Sequence, residues 1–366
     1  MNASTLRVPE DITAEVLTEL LQRMAPGTTI KEVAIQRTHQ GTATHVYLDA
    51  IYGDNPAAVP SRLFVKTQLS SVQDIPSMHA EALEVEGSTC MLRDETVFYR
   101  DLRAALDVET LRVYAAEIVD GPAQFVIVAE NVTDRGARFP DPAIPLSVDE
   151  VMALLRTLAQ MHAQFWESPR LAVELKWVQH PLLGEFHDFL RTAGFGIIRI
   201  LLEKPYKAKL LKEAGMDADL LENAFWHLQE KVHSAPITLL HGDPHPGNIY
   251  LLPDSTVGLL DWQLLRCGSW AHDVCYAIVA GLSPADRRQS EKELLRLYLA
   301  ELARHGIESV PSFNEAWRLY RCSPPWGFAM WAVTPEEMYS VAAVRGVMER
   351  FGAAFVELNT IEVLGL

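Results

Sequence analysis

Two aspartates and an asparagine stand at an informative spacing in the chain. Asp243 lies in a loop rich in Gly and Pro, Asn248 follows five residues later, and Asp261 comes 13 residues after that. Phosphoryl transfer needs a carboxylate to orient the attacking hydroxyl and accept its proton, and metal ions to neutralise charge on the transferring group. Asp243 suits the first role, and the oxygens of Asn248 and Asp261 suit Mg²⁺. The types and spacing of these three residues therefore predict a phosphoryl-transfer site.

Two apolar runs must position these side chains. They flank the polar loop and predict a strand-loop-strand unit from Ile237 to Asp261. The alternative is a tight Gly/Pro turn in which Asp243 and Asn248 only make local side-chain to backbone hydrogen bonds.

A family resemblance rests on these residues. The pattern His241-Gly242-Asp243-x-His245-x-x-Asn248, followed by Leu260-Asp261-Trp262, resembles that of the aminoglycoside phosphotransferase and choline kinase superfamily. The resemblance implies that Asp243 is the catalytic base, that Asn248 and Asp261 bind magnesium, and that ATP and Mg²⁺ are the cofactors. It also implies an α+β, two-lobed protein-kinase-like fold, with an antiparallel sheet and helices in the N-lobe and a larger, mostly helical C-lobe.

Kinase-like folds also carry a lysine on the third strand, which holds the α- and β-phosphates of the nucleotide. Lys66 ends the apolar run Arg62–Lys66 and is the candidate. Its expected partner is Glu95, since the pattern Glu-x-x-Phe-Tyr-x-x-Leu that starts there resembles the ecdysteroid-kinase-like branch of the superfamily. The simpler alternatives are a lysine at a strand edge and an exposed helix charge.

The rest of the nucleotide site is placed by order along the chain. Gly41 and Thr42, between the first two predicted strands, offer a backbone amide and a hydroxyl to phosphate oxygens, although a plain hairpin turn fits them equally well. The resemblance implies that the Glu130 carbonyl and the Val132 amide pair with the adenine edge.

Three further residues are expected to support the loop. His241 and His245 are interpreted as bracing the Asp243 carboxylate rather than as metal ligands. Asp273 resembles the structural aspartate beneath the catalytic loop, with ordinary helix capping as the alternative. His162, on an apolar helix face, is expected to be a core residue with satisfied hydrogen bonds.

The domain prediction is an N-terminal nucleotide-binding lobe at 1–131 and a C-terminal catalytic and acceptor-binding lobe at 132–366, with a helical insertion at 170–235. In the family, the insertion and the C-terminal helices shape the acceptor pocket. Aromatic side chains in these segments suit a small, bulky, apolar alcohol, although each also suits helix packing. They are Trp177, Phe186, Phe189, Phe195, Tyr206, Phe225, Trp317, Trp326, Phe328 and Trp331.

Several alternatives stay open. The acceptor could instead be an aminoglycoside, a macrolide or a choline-like molecule, and the protein could be a catalytically inactive nucleotide-binding module. A metallophosphoesterase is disfavoured, because the sequence lacks the Asp-x-His and Gly-Asn-His-Asp/Glu turns that assemble two metals.

Net charge, apolar runs and cysteine spacing disfavour some classes of partner and favour one cellular location. The net charge of −16, without a Lys/Arg run, disfavours nucleic acid. Neither a signal peptide nor an apolar run of about 18 residues is seen, which disfavours a membrane partner. Four cysteines without C-x-x-C spacing fit a reducing, cytoplasmic environment. The sequence gives no prediction of oligomeric state.

Overall fold

The computed structural model describes residues 6–40, 43–69, 90–118, 124–336 and 338–366. The chain forms two compact units. The first unit comprises Met1–Leu106 and Thr110–Ala137, and the second comprises Asp107–Glu109 and Arg138–Leu366. The division at 137/138 lies six residues beyond the boundary predicted at 131/132. Asp107–Glu109 belong to the second unit, which the sequence did not predict.

The first unit is built on an antiparallel sheet of five strands, β1 Ile30–Gln40, β2 Thr44–Tyr52, β3 Arg62–Thr67, β4 Val113–Ile118 and β5 Phe125–Glu130. Their order across the sheet is β1-β2-β3-β5-β4. Burial alternates along β2, as expected for a strand with one face on a core. Helix α1, Ala14–Leu21, is capped by the Thr13 hydroxyl and packs its apolar side chains on that face. Helix α2, Cys90–Val97, continues into a wide turn at Phe98–Leu102.

The register of the sheet fixes the direction of Lys66. In β3 the side chains of Leu63 and Val65 point into the core shared with α1. Because side chains alternate along a strand, Lys66 points to the opposite face, where it pairs with His45 of β2 and Ile127 of β5.

The second unit is mostly helical and contains two small antiparallel sheets of two strands each. Its central helix α3, Val148–Gln164, begins with a capping box in which Ser147 and Glu150 bond each other's backbone N–H groups. Strand β6, Ile237–Leu240, pairs with β9, Arg266–Ser269. Strand β7, Ile249–Leu251, pairs with β8, Val257–Leu259. The other helices are α4 Glu185–Phe189, α5 Phe195–Leu202, α6 Pro205–Glu213, α7 Ala218–Val232, α8 Ala271–Gly281, α9 Pro284–Arg304, α10 Phe313–Cys322, α11 Pro324–Val333, α12 Val341–Glu357 and α13 Thr360–Leu364.

Among the described residues, none of the helices combines the length and the apolar character needed to cross a bilayer.

Candidate active site

The loop between β6 and β7 holds Asp243 in a fixed position. The Asn248 side-chain amide donates to the Asp243 carbonyl at 3.0 Å and to its carboxylate at 2.9 Å. Gly242 begins the loop at φ +88°, a left-handed conformation that glycine adopts without a steric penalty. The Asp243 side chain is 20% exposed. The loop therefore presents a braced carboxylate that a hydroxyl can still reach.

Asp261 lies beside Asn248 at the open end of the β7–β8 hairpin. Strand β7 begins directly after Asn248, and the Leu260 amide donates to the Asn248 carbonyl at 2.8 Å. Asp261 itself has φ +57°, a left-handed conformation that is strained for a residue with a Cβ. Strain of this kind is common at functional sites and orients the side chain that follows the hairpin.

The donor set of Asn248 and Asp261 fits Mg²⁺. Because the Asn248 amide nitrogen is committed to Asp243, its oxygen is the atom that can bind a cation. An amide oxygen and a carboxylate are hard ligands, and Mg²⁺ is usually bound by one or two protein groups together with substrate phosphates. Within the described ranges, no cluster of three or more His, Cys, Asp or Glu side chains could hold a metal ion.

Both loop histidines contact the backbone, and His245 also approaches the Asp243 carboxylate. His241 accepts from the Asp243 amide at 3.3 Å and lies 2.7 Å from the Leu260 carbonyl, to which its other ring nitrogen donates in the matching tautomer. Burial lowers the pKa of His241. His245 accepts from the Gly247 amide at 2.9 Å and places its other nitrogen 3.5 Å from the Asp243 carboxylate. The bracing role of both histidines stays a prediction.

Asp273 is fully buried beneath the loop, in α8. It accepts from the backbone amides of His241 at 2.7 Å and Gly242 at 2.9 Å. Burial alone would raise the pKa of Asp273, but the hydrogen bond from His162 and the neighbouring histidines lower it overall. The carboxylate therefore stays ionised and ties the start of the loop to α8.

Sequence reasoning missed the partners of Asp273. His162 of α3 contacts Asp273 at 3.2 Å with one ring nitrogen and the Tyr298 hydroxyl of α9 at 2.7 Å with the other. His272 donates to the Gly242 carbonyl at 2.8 Å. The sequence carried only a weak signal for this network, in that His162 is a polar residue on an apolar helix face.

Aromatic rings surround the loop near Asp243. The His245 ring lies 5.0 Å from Trp331 and 5.6 Å from Tyr339, between ring centroids. Burial, followed by the charge of Asp243, raises the pKa of Tyr276. Burial and the charges of Asp261 and Asp243 also raise the pKa of Tyr339. Both phenols therefore stay protonated at neutral pH.

Most other aromatic side chains of the insertion pack on one another. Phe225 stacks on Trp326 at 5.1 Å and meets Phe195 edge to face at 5.0 Å. The Arg266 guanidinium lies 3.9 Å from the Trp326 ring centroid. This cluster is buried, so its members serve as helix-packing core. Of the aromatic residues named from the sequence, Trp331 contacts the loop that carries Asp243, through His245.

In the first unit, Lys66 and Glu95 form a buried ion pair. The Lys66 ammonium lies 2.7 Å from the Glu95 carboxylate, with the side chains 6% and 2% exposed. Phe98 and Tyr99, just after α2, are buried and anchor this helix to the sheet. The sequence predicted this partnership across 29 positions.

The other predicted nucleotide-binding residues are only partly described. Glu130 ends β5, and its carboxylate accepts from the Arg112 amide and from Arg135, each at 3.1 Å. Val132 is buried at the start of a short 3₁₀ turn. Gly41 and Thr42 lie outside the described residues.

Three solved structures show what the chain resembles. A Ralstonia eutropha protein provisionally assigned as an aminoglycoside phosphotransferase is 15% identical, covering 94% of this chain and 97% of its own, with a TM-score of 0.52. Spectinomycin phosphotransferase, solved with ADP and spectinomycin, is 14% identical over 95% and 99% of the two chains, with a TM-score of 0.50. A Plasmodium vivax ethanolamine kinase is 14% identical over 88% and 81%, with a TM-score of 0.47. The first two likenesses, together with the antiparallel sheet and the many helices, confirm the predicted α+β, protein-kinase-like fold.

The family follows from a sequence match. The model of the ecdysteroid kinase-like family matches residues 97–308, more than half of the chain. The protein therefore belongs to the ecdysteroid kinase-like family, and the predicted superfamily is confirmed. The matched region contains Asp243, Asn248, Asp261 and Asp273, whereas Lys66 and Glu95 precede it. A search of curated proteins finds no match to the chain.

Proposed function

We propose that the protein is a phosphotransferase that moves the γ-phosphate of ATP, with Mg²⁺, to a hydroxyl of a small apolar molecule. One observation carries the proposal: Asn248 is hydrogen-bonded to Asp243, and its carbonyl accepts from the amide of Leu260, the residue before Asp261. This arrangement supports a site in which the proposed proton acceptor and the two proposed oxygen ligands are close together. Family membership supports the class of reaction, a small-molecule phosphotransferase.

In the proposed reaction, Asp243 orients the acceptor hydroxyl and takes its proton. Bound Mg²⁺ supplies charge neutralisation on the phosphates, and Asn248 and Asp261 are the residues that would hold it. Lys66, fixed by Glu95, would hold the α- and β-phosphates.

The remaining nucleotide contacts are proposed by position. Gly41 and Thr42 would cover the phosphates, and the backbone of Glu130 and Val132 would pair with adenine. The first unit then serves as the nucleotide-binding lobe, and the second serves as the catalytic and acceptor-binding lobe. ADP in the spectinomycin phosphotransferase structure supports the choice of ATP as donor.

The acceptor is proposed to be apolar because of the side chains near the base. The His245 ring nitrogen lies 3.5 Å from the Asp243 carboxylate, and the Trp331 and Tyr339 rings pack on His245 and on each other. Aromatic walls bury apolar surface well and leave one polar group, here the carboxylate, to fix the hydroxyl.

The test is ADP release from ATP with a panel of hydroxylated compounds, comprising apolar alcohols, aminoglycosides, macrolides and choline. We expect turnover with apolar alcohols, its loss in EDTA, and a fall of about 10²- to 10⁴-fold in kcat for Asp243→Asn. The exposed Asp149 provides a matched control, because Asp149→Asn removes a charge in the first turn of α3 and should retain activity.

Two results would contradict parts of the proposal. Saturation by an aminoglycoside at low concentration would overturn the apolar acceptor while leaving the reaction in place. Magnesium-dependent ADP binding without turnover on any acceptor would identify a nucleotide-binding module instead.

A further inference from the structure

Asp107–Glu109, which we call the strap, belongs to the second unit although the chain on both sides of it belongs to the first. Its first residue is tied to helix α3. The Asp107 amide donates to the Gln164 side chain at 3.3 Å, and the Gln160 amide donates to the Asp107 carboxylate at 3.2 Å. Val108 is buried between these contacts and Glu109. The strap is therefore anchored before it reaches the site.

Glu109 holds both strands of the β7–β8 hairpin. The Tyr250 hydroxyl of β7 donates to the Glu109 carboxylate at 2.5 Å. The Leu259 amide of β8 donates to the Glu109 backbone carbonyl at 3.0 Å. One residue of the strap thus bonds one strand through its side chain and the other through its backbone.

The position of the Tyr250 ring is fixed by its packing against Gly258. Tyr250 pairs with Gly258 across the hairpin, and a Cβ at Gly258 would sit 2.1 Å from the ring. The ring therefore covers the glycine and carries the hydroxyl out to Glu109. Tyr250 is completely buried, so this hydrogen bond forms in surroundings where it is stronger than in water.

The hairpin leads directly to the two proposed magnesium ligands. Asn248 is the residue before β7, and Asp261 is the second residue after β8. Any change in the spacing of the two strands is therefore passed on to the distance between these side chains. Mg²⁺ requires ligand oxygens close to ideal octahedral positions, so a small change in that distance weakens its binding.

We propose that Glu109 and Tyr250 are positioning residues for the magnesium site: their hydrogen bond sets the separation of Asn248 and Asp261 and thereby the affinity for Mg²⁺ with nucleotide. The inference rests on the proposed function. Neither residue has to touch the metal or the nucleotide, because the effect passes through the hairpin.

The experiment uses the full chain and titrates MgCl₂ at a fixed ADP concentration. Two quantities are measured. The first is the magnesium midpoint, which is the MgCl₂ concentration that gives half of the ADP-induced rise in Tm. The second is the magnesium activation constant for ADP release from ATP. In Tyr250→Phe we expect the magnesium midpoint and the activation constant each to rise by roughly 3- to 30-fold. A change of this size corresponds to part of the free energy of a hydrogen bond to a charged group. Glu109→Ala should raise both quantities to a similar extent. Glu109→Gln keeps an acceptor oxygen, so its magnesium midpoint and activation constant should stay within about 3-fold of the wild-type values.

Tyr320→Phe is the matched control. It removes a hydrogen bond from a fully buried tyrosine to Glu291, 3.0 Å long, between α10 and α9. This variant should lower Tm without moving the magnesium midpoint. If Tyr250→Phe also lowered Tm and left the midpoint unchanged, the contact would be purely structural and this inference alone would fail. If wild type bound ADP without any dependence on magnesium, the proposed magnesium site itself would fail.

Discussion

The Asn248 side-chain amide lies 2.9 Å from the Asp243 carboxylate and 3.0 Å from the Asp243 carbonyl. The proposed base and one proposed metal ligand are thus joined directly. Because one nitrogen makes both contacts, the rotamer of Asn248 is fixed before any ligand binds. In the proposed reaction, this contact would hold Asn248 in place when nucleotide and acceptor bind.

The buried pair of Lys66 and Glu95 predicts a non-additive response to mutation. Lys66→Met removes the ion-pair partner of the buried Glu95 carboxylate and should cost about 3–5 kcal/mol of unfolding free energy, and Glu95→Leu should cost a similar amount. The double variant should recover most of that loss, since both charges of the pair are removed together. Denaturant unfolding measures the cycle, and the ADP-induced rise in Tm should be lost in all three variants. Additive losses, or unchanged ADP binding in Lys66→Met, would contradict the assignment.

Asp273→Asn is expected to loosen the loop that carries Asp243. The carboxylate accepts from two backbone amides and from His162, whereas an asparagine must turn an N–H group towards one of these donors. The expected loss is about 2–4 kcal/mol in urea unfolding, with reduced ADP release. Asp286→Asn, at the exposed first turn of α9, is the control and should cost under about 1 kcal/mol. Equal losses in the two variants would argue against a special role for Asp273.

Alanine substitutions at two glycines with positive φ distinguish the cost of backbone strain from the cost of a steric clash. Gly215 has φ +70° and open space where a Cβ would stand, so Gly215→Ala should cost about 1–2 kcal/mol. At Gly242, with φ +88°, the Cβ would sit 1.9 Å from the Leu264 carbonyl oxygen. Gly242→Ala should therefore cost more than about 4 kcal/mol in urea unfolding and abolish ADP release. Similar costs for both variants would show that the loop relaxes easily around Gly242.

Stability should fall on mild acidification because of His272. Burial lowers the pKa of His272 to about 4, although Asp273 acts in the opposite direction. Above the ordinary value of 6.5, the imidazole is neutral in both the folded and the unfolded chain. As the pH falls from 6.5 towards 4, the unfolded chain takes up the proton first, so stability is lost in this window. We expect a loss of about 1–3 kcal/mol between pH 7 and pH 4.5 in urea unfolding.

The variant His272→Gln can still donate to the Gly242 carbonyl but no longer titrates, so its stability should depend less steeply on pH. Some dependence should persist, because burial also lowers the pKa values of His241 and His180. His305→Gln, at the exposed end of α9, should leave the slope unchanged. An identical slope in His272→Gln and wild type would contradict the assignment of this transition.

The sequence was most informative where the site is local. Asp243, Asn248 and Asp261 belong to one strand-loop-strand unit, so their types and spacing already indicate their proximity. Lys66 and Glu95 are farther apart, yet the strand and helix that carry them have clear hydrophobic patterns.

Contacts between distant segments carry no such pattern. Asp273 meets His162 across 111 positions, and Tyr250 meets Glu109 across 141. Helical periodicity also cannot tell whether an aromatic face lines a pocket or packs on other helices. For that reason Phe225 and Trp326 fitted an acceptor pocket in the sequence, whereas the structure buries them against each other.

The strap makes the second unit discontinuous along the chain, and this affects how the protein can be divided. A fragment beginning at Arg138 would contain every residue of the β7–β8 hairpin but would lack the carboxylate that Tyr250 bonds. An exchange of N-terminal halves between family members would likewise bring in a foreign residue at 109 beneath the native hairpin. In such a chimera, the residue that bonds Tyr250 would come from a different protein than the hairpin itself.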